Sequence, residues 1–254
     1  ESGSVSGTEA GKPASTNDNG EKVLRIGTYM PVTTLIPWKT TSDGDGYIIR
    51  QIYHTLLEMN KESEFVPGLA KSWECSDDGK VWTFHLRDDI YWQTGNDLFG
   101  DEKVQVTAED VKFSFEYYLD PAHESVRYTG LVDSIDKIEV VDDFTIKFYT
   151  KDIDVLLEYK MYQNYIIPKK GIDENWDFAA FPVGSGAYKF VEHVVDTRVL
   201  LEKNEDFWLE PALDKIEFRI ITDKSVSSIA LQNQEIDITL SLLPTDIPAV
   251  VSKD

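Results

Sequence analysis

A glycine–serine–glycine turn is the first feature of the chain whose residue types could carry chemistry. It lies in the stretch FPVGSGAYKFVEH, where Gly184 and Gly186 flank Ser185. Such a turn binds phosphate when a helix N-terminus follows it, and it presents a serine nucleophile when it joins a strand to a helix. The alternating residues after Gly186 predict a strand instead. We therefore expect these three residues to form a structural turn, with glycines that permit tight or positive-φ backbone.

No other group of residues indicates catalysis or a metal site. None of the four histidines has a second His, a Cys or a paired carboxylate at metal-ligand spacing, or a Ser/His/Asp pattern around it. We expect His54 at the surface or flank of a helix. The single cysteine, Cys75, excludes an internal disulfide and is expected to be a half-buried filler. The segment DGDGY at 43–47 lacks the distant Glu of an EF-hand. The expectation is no enzyme, no metal and no cofactor.

Strand and helix signals are mixed along the chain without strict alternation. The predicted strands are Val23–Tyr29, Val81–Arg87, Lys215–Thr222 and Glu235–Leu242, with hairpins over 137–150 and 187–204. Helices are predicted over Tyr47–Leu57, from the N-cap Thr107 to the stop at Asp120-Pro121, and after a cap at Ser225. This order predicts a mixed α/β (α+β) architecture with a mixed β-sheet.

The charge balance excludes some partners. The chain has 25 Lys and Arg against 46 Asp and Glu, a net charge of −21. A field of this sign repels nucleic acid and anionic lipid surfaces, so neither is an expected partner. Residues 1–20 are rich in Gly, Ser, Thr and Asn and predict a flexible linker. A linker implies an attachment, and we expect a lipid anchor upstream of Glu1.

Four segments in order resemble one protein family. They are AKSWECSDDGKVWTFHLRDDIYW (70–92), VTAEDVKFSFEYYLDP (106–121), PVGSGAYKFVEHVVDTRVLLEKNEDFW (182–208) and LQNQEIDI (231–238). The family is the family 5 extracellular solute-binding proteins, the binding components of ABC importers for peptides, nickel chelates and some sugars. The sequence departs from the family pattern at Gln93 and at Gln234, where relatives often have His and Gly. The loop at 96–105 is also longer than usual.

The resemblance implies a fold and a domain division. It implies one lobe of a periplasmic-binding-protein type II-like fold, with the second lobe absent from this chain. We expect a main subdomain from 21–45 plus 178–254 and a smaller inserted subdomain at 46–177. The implied function is capture of a peptide outside the membrane and delivery to a permease, by a monomer tethered to the extracellular membrane face or free in the periplasm.

The same resemblance bears on the ligand. Nickel-binding relatives hold the chelate with a methionine and an arginine, where this chain has Gly46 and Asn164, so peptide is preferred. Nickel chelate or sugar stays an alternative, as does a surface sensor or adhesin that uses the longer loop. Tyr128 and Tyr162 lie in less periodic stretches, where aromatic residues are expected in a pocket wall. The candidate ligand-binding residues are Met30, Pro31, Val32, Thr33, Thr34, Asp45, Gly46, Tyr47, Tyr128, Tyr162, Asn164, Thr239 and Ser241.

Overall fold

Three β-sheets and the helices around them make up residues 15–17 and 19–251, which the computed structural model describes. The strands are β1 (Ser15–Thr16), β2 (Lys22–Thr28), β3 (Leu57–Met59), β4 (Phe65–Pro67), β5 (Ala70–Cys75), β6 (Val81–Leu86), β7 (Ile135–Asp142), β8 (Thr145–Thr150), β9 (Tyr188–Val194), β10 (Arg198–Lys203), β11 (Lys215–Ile220) and β12 (Ile238–Thr239). The helices are α1 (Asp43–Ile52), α2 (Ala108–Leu119), α3 (Tyr128–Val132), α4 (Leu157–Gln163), α5 (Lys169–Asp173), α6 (Lys224–Gln232) and α7 (Ile247–Val251), with a 3₁₀ turn at Pro121–His123. The predicted mixed α/β class is confirmed.

The largest sheet combines both ends of the described chain. Its order is β1-β2-β11-β10-β9, and β12 also pairs with β2. Strand β2 is parallel to β11 and β12, whereas the remaining pairs are antiparallel. Parallel pairs require a long crossover, and here the whole segment between β2 and β11 is that connection. Strand β2 therefore has parallel partners that come much later in the chain, with Val23 opposite Lys215 and Ile26 opposite Ile238.

The crossover contains a sheet of its own. Strands β5, β6, β8 and β7 form an antiparallel sheet in that order, and β3 pairs with β4. Helix α2 packs on the four-stranded sheet, with the Phe115 ring centroid 4.8 Å from that of Phe148. Phe84 meets Phe148 edge-on at 5.7 Å. These aromatic rings form part of the hydrophobic core of the protein.

Helix α2 begins and ends where the sequence predicted. The Asp110 carboxylate accepts a hydrogen bond from the Thr107 backbone N–H at 2.9 Å, so one otherwise unpaired donor is satisfied. At the other end Asp120 is extended, because the following Pro121 disfavours helical backbone. Local side-chain chemistry alone sets both boundaries.

Other predicted boundaries were wrong. Helix α1 begins at Asp43 instead of Tyr47, capped by the Ser42 side chain, which accepts from the Gly44 N–H at 3.2 Å. It ends at Ile52. The cap of α6 is Asp223 instead of Ser225, because the Asp223 carboxylate accepts from two backbone N–H groups. The predicted strand at 235–242 shortens to β12, because only Ile238 and Thr239 pair with β2.

Two single-residue expectations were also wrong. His54 is 5% exposed, because it lies directly after α1 beneath Phe207, with the ring centroids 5.3 Å apart. Cys75 is exposed at the end of β5, in a four-stranded sheet whose edge is formed by that strand. Sequence periodicity does not show which residues a distant element such as Phe207 covers, or which residues of an edge strand stay uncovered.

The longer loop at 96–105 is folded onto the core. Asn96 caps its first turn by accepting from the N–H groups of Leu98 and Phe99 at 3.1 and 3.0 Å. Leu98 and Phe99 are buried, and the Phe99 ring stacks on Trp92 with centroids 6.0 Å apart. The apolar side chains of the loop are therefore used inside the protein.

The proposed subdomain division stays a prediction. The strands of the largest sheet come from 15–28 and 188–239, and those of the other two sheets from 57–150. Within the predicted linker, Ser15 and Thr16 pair with β2 as the short strand β1. Residues 1–14 of that linker lie outside the described residues.

Candidate functional site

The loop between β2 and α1 is fastened by one buried carboxylate. Asp45 is fully buried and accepts hydrogen bonds from the Thr33 N–H at 2.8 Å, the Thr34 N–H at 3.3 Å and the Thr40 hydroxyl at 3.1 Å. The Thr33 hydroxyl donates to it as well. Several hydrogen-bond donors to one carboxylate offset the free-energy cost of burying its charge. The loop backbone is thereby held against the first turn of α1.

A pocket opens beside this fastened loop. Its volume is about 310 Å³. It lies between the loop that precedes α1, the exposed face of α1 and the C-terminal end of α4 with the residues that follow it. Its lining residues are Thr40, Thr41, Ser42, Asp43, Gly46, Tyr47, Arg50, Arg127, Tyr162, Gln163 and Tyr165. The wall is polar and aromatic, which suits a ligand with both charged and apolar groups.

The arginines of this pocket lie against its aromatic rings. The Arg50 guanidinium carbon is 4.0 Å from the centroid of the Tyr162 ring and 5.9 Å from that of Tyr165. The Arg127 guanidinium carbon is 6.0 Å from the Tyr165 centroid. Stacking on an aromatic face fixes the plane of a guanidinium while its edge stays able to donate hydrogen bonds.

A smaller apolar recess continues the site toward the main sheet. Its volume is about 160 Å³, and it is lined by Ile26, Tyr47, Arg50, Gln51, Phe218 and Leu240. Tyr47 and Arg50 border both spaces. Tyr47 and Leu240 are among the exposed large apolar side chains. The two spaces together form a continuous surface from the α4 end to the last strand.

The glycine–serine–glycine turn lies behind this surface and is closed to ligands. A Cβ on Gly184 would lie 2.2 Å from the Ile52 carbonyl oxygen, and one on Gly186 would lie 2.5 Å from that of Gln51. Both glycines therefore serve close backbone approach, and neither has the left-handed φ that the sequence suggested. The turn packs directly against the end of α1.

Ser185 and His54 meet in this turn without forming a catalytic pair. The Ser185 Oγ lies 3.0 Å from the His54 Nδ1, and the two residues are 1% and 5% exposed. Burial lowers the pKa of His54 to about 4. A histidine sealed from solvent and without a carboxylate partner is unable to serve a substrate as general base.

Gln93 holds the turn from the other side. Its Nε2 donates to the carbonyl oxygens of Tyr188 at 2.7 Å and Gly186 at 3.1 Å, and its own N–H donates to Gly184 at 2.9 Å. The residue is 2% exposed. The departure from the histidine of relatives thus supplies a neutral amide whose donors match nearby carbonyl oxygens.

The described residues contain neither a metal-binding cluster nor a membrane-spanning helix. In residues 15–17 and 19–251, no three His, Cys, Asp or Glu side chains are grouped so that they could hold a metal ion. Within the same ranges, no helix combines the length and the apolar character needed to cross a bilayer.

Comparison with known proteins identifies the family. The model of the bacterial extracellular solute-binding proteins, family 5, matches residues 64–254. The chain belongs to this family. The resemblance of its four sequence segments is thereby confirmed.

Several named proteins are similar to this chain. Di/tripeptide-binding protein 1 of Pseudomonas aeruginosa is 32% identical over 74% of the chain, which spans 38% of that relative. The solved structure of the periplasmic binding protein DppA from Helicobacter pylori, in complex with the peptide STSA, matches with a TM-score of 0.82 and 30% identity. The match covers 89% of this chain and 48% of the DppA chain. The structure of NikZ from Campylobacter jejuni in complex with Ni(L-His) matches with a TM-score of 0.80 and 26% identity. The match covers 91% of this chain and 45% of NikZ. The chain spans less than half the length of these relatives.

The structure brings together some of the predicted site residues. Gly46, Tyr47 and Tyr162 line the main pocket. Met30, Pro31, Val32, Thr33 and Thr34 form the loop that Asp45 fastens, and Met30 packs against Gly44. Thr239 and Ser241 are the sequence neighbours of Leu240, which lines the recess. The Thr239 hydroxyl lies 2.8 Å from that of Ser227.

Three predicted residues lie apart from the pocket surface. Asp45 and Asn164 are buried, and Asn164 donates from Nδ2 to the Lys160 carbonyl oxygen at 2.7 Å. Tyr128 begins α3 next to Arg127 but does not line the pocket.

Sequence reasoning missed Arg50, Arg127 and Tyr165. Arg50 follows Tyr47 by three positions on α1, so helical spacing could have placed it on the same face. Arg127 and Tyr165 come from distant segments, and no local pattern joins them to α1.

Proposed function

We propose that this chain is the ligand-capturing lobe of a solute-binding protein that takes up peptides outside the membrane and delivers them to the permease of an ABC importer. The observation that carries the proposal is the match to the peptide-bound DppA structure, at 30% identity over 89% of the chain. The open pocket and recess beside the fastened loop offer a surface on which an extended ligand could lie. Backbone recognition of this kind permits varied side chains.

The residues of the surface divide into two roles in this proposal. Gly46, Tyr47 and Tyr162 contact ligand directly, with Thr239 and Ser241 at the far end. Asp45 and Asn164 act from beneath, by holding the backbone of the loop and of the segment after α4. The protein closes a second lobe over this surface, and ligand stabilises the closed state through contacts made only there.

The proposal extends to the setting of the protein. The protein is a monomer without catalytic activity, tethered by a lipid anchor on the extracellular face. Labelling of cells with a radioactive fatty acid tests the anchor: label in the immunoprecipitated protein is expected, and its absence would remove the anchor from the proposal.

Calorimetry with the complete gene product that contains these residues tests the ligand class. Dipeptides to tetrapeptides, nickel–histidine and a disaccharide are titrated in parallel. Saturable binding of peptides alone is expected. Binding of nickel–histidine with no peptide binding would replace the peptide proposal by the nickel alternative, and peptide hydrolysis would show an enzyme.

A further inference from the structure

Two arginines of the main pocket differ from the other four, because they have no carboxylate partner among the described residues. Arg25, Arg87, Arg198 and Arg219 each form an ion pair with a carboxylate. Within the part of the chain that the structure describes, neither Arg50 nor Arg127 forms an ion pair, and neither guanidinium donates a hydrogen bond. The contrast is informative because Asp and Glu outnumber Lys and Arg by 46 to 25. Carboxylates are abundant, yet these two cations are left without one.

Both guanidinium groups are partly removed from water. The Nη1 of Arg50 and the Nε of Arg127 are buried without a hydrogen-bond partner among the described residues. Tyr162 covers one face of the Arg50 guanidinium at 4.0 Å. A cation that loses hydration without gaining an acceptor is unfavourable, so an acceptor from outside would relieve a real energetic cost.

The described carboxylates near Arg50 and Arg127 form no ion pair with them. Asp43 is on the pocket wall but is exposed at the start of α1. Asp45 is saturated by the threonine donors described above. Glu58 interacts with Arg50 at a distance, yet burial raises the pKa of Glu58, and its Oε1 accepts from the Thr55 hydroxyl at 3.1 Å. Among the residues that the structure describes, no acidic side chain forms an ion pair with either arginine.

We infer that Arg50 and Arg127 form a subsite for a carboxylate of the bound ligand. A carboxylate is planar and matches the paired N–H donors of a guanidinium, and the tyrosine rings hold those donors in place. The inference rests on the proposed peptide function and narrows it to ligands with an anionic group at this pocket. Two sources present the same chemistry: the C-terminal carboxylate of a peptide, and the side chain of Asp or Glu.

Four peptides separate the two sources. Ala-Glu-Ala and Ala-Gln-Ala are each prepared with a free and with an amidated C-terminus, and calorimetry measures their binding to the complete gene product. Removal of the carboxylate that occupies the subsite is expected to weaken binding about tenfold or more, as for loss of a charge-assisted hydrogen-bond pair. If all four peptides bind equally, peptide binding stands and the subsite is overturned.

Variants assign the effect to the two arginines. Arg50→Gln and Arg127→Gln are expected to lose the discrimination between the carboxylate and its amide. Arg198→Gln removes the same charge from β10, outside the pocket, and is expected to retain it. Thermal unfolding confirms that each variant is folded. Retained discrimination in both pocket variants would contradict the inference.

A direct measurement covers the case in which no peptide binds. The Nε–H signals of the arginines are followed by ¹⁵N NMR while succinate is added, and the variants assign the signals. Saturable shifts confined to Arg50 and Arg127 would support a carboxylate subsite in a protein that does not bind peptides. Absence of both peptide binding and such shifts would overturn the proposed function and the subsite together.

Discussion

The Oγ of Ser185 lies 3.0 Å from the Nδ1 of His54, across 131 residues of sequence. The contact joins the glycine–serine–glycine turn to the residue just after α1 ends. It links the main sheet to the helix that borders the pocket. The stability of this junction can therefore be probed from both sides.

On the turn side, Gly184→Ala should destabilise the protein strongly. The added Cβ would lie 2.2 Å from the Ile52 carbonyl oxygen, a backbone atom with little freedom to move. We expect a loss of about 3 kcal/mol or more in the free energy of unfolding, measured by denaturant titration. Gly130→Ala is the control, because a Cβ there meets nothing within 4 Å. Equal stability of the two variants would contradict the close approach.

On the helix side, stability should depend on pH through His54. Burial lowers its pKa in the folded state from 6.5 to about 4. Between these values the unfolded state binds the proton and the folded state does not, so the free energy of unfolding rises with pH and is lost as pH falls. The full difference is about 3 kcal/mol. His54→Gln should flatten the dependence between pH 4 and 6.5, and an unchanged dependence in this variant would contradict the role of His54.

The carboxylate of Asp45 should be essential to the loop at 30–40. Asp45→Asn places an NH₂ group among donors, which leaves N–H and O–H groups of Thr33, Thr34 or Thr40 unpaired. We expect a loss of about 2–4 kcal/mol in the free energy of unfolding, with faster hydrogen exchange at Thr33 and Thr34. Asp43→Asn, on the exposed side of the same helical turn, should change stability by less than about 1 kcal/mol. If the two variants behave alike, Asp45 does not fasten the loop.

A glycine should fit position 234 better than the present glutamine. Gln234 has a φ of 60°, in the left-handed region that favours glycine, and relatives often carry glycine there. Gln234→Gly should therefore raise the free energy of unfolding, by about 0.5–1 kcal/mol. Gln232→Gly, at the last position of α6, should lower it by a similar amount. Thermal unfolding of the two variants should shift in opposite directions.

Sequence patterns predicted features whose causes are local. Thr107 and Pro121 mark the ends of α2 because capping and proline sterics act over a few residues. The start of α1 was missed because Gly44 and Gly46 are typical of loops, whereas the Ser42 cap and buried Ile48 hold them in a helix. Tertiary packing decided against local propensity there.

The candidate site was predictable only in part, because it is assembled from separate segments. Gly46 and Tyr47 came from the family resemblance, and Tyr162 from its place in a less periodic stretch. Arg50 and Arg127 are 77 positions apart in the printed sequence, and only the fold brings them to one pocket. Nothing in the local sequence around Arg127 distinguishes it from the four arginines that form ion pairs.

The position of β2 in the main sheet has a consequence for biosynthesis. The Lys22 N–H of this strand donates to Asp214, 192 residues later. A ribosome therefore releases β2 long before its parallel partners exist, while the antiparallel sheet of β5–β8 can already form from neighbouring segments. During that interval the edge of β2 that later pairs with β11 stays open, and other chains can add to it. Protection of this nascent strand, as by a chaperone, would favour correct folding.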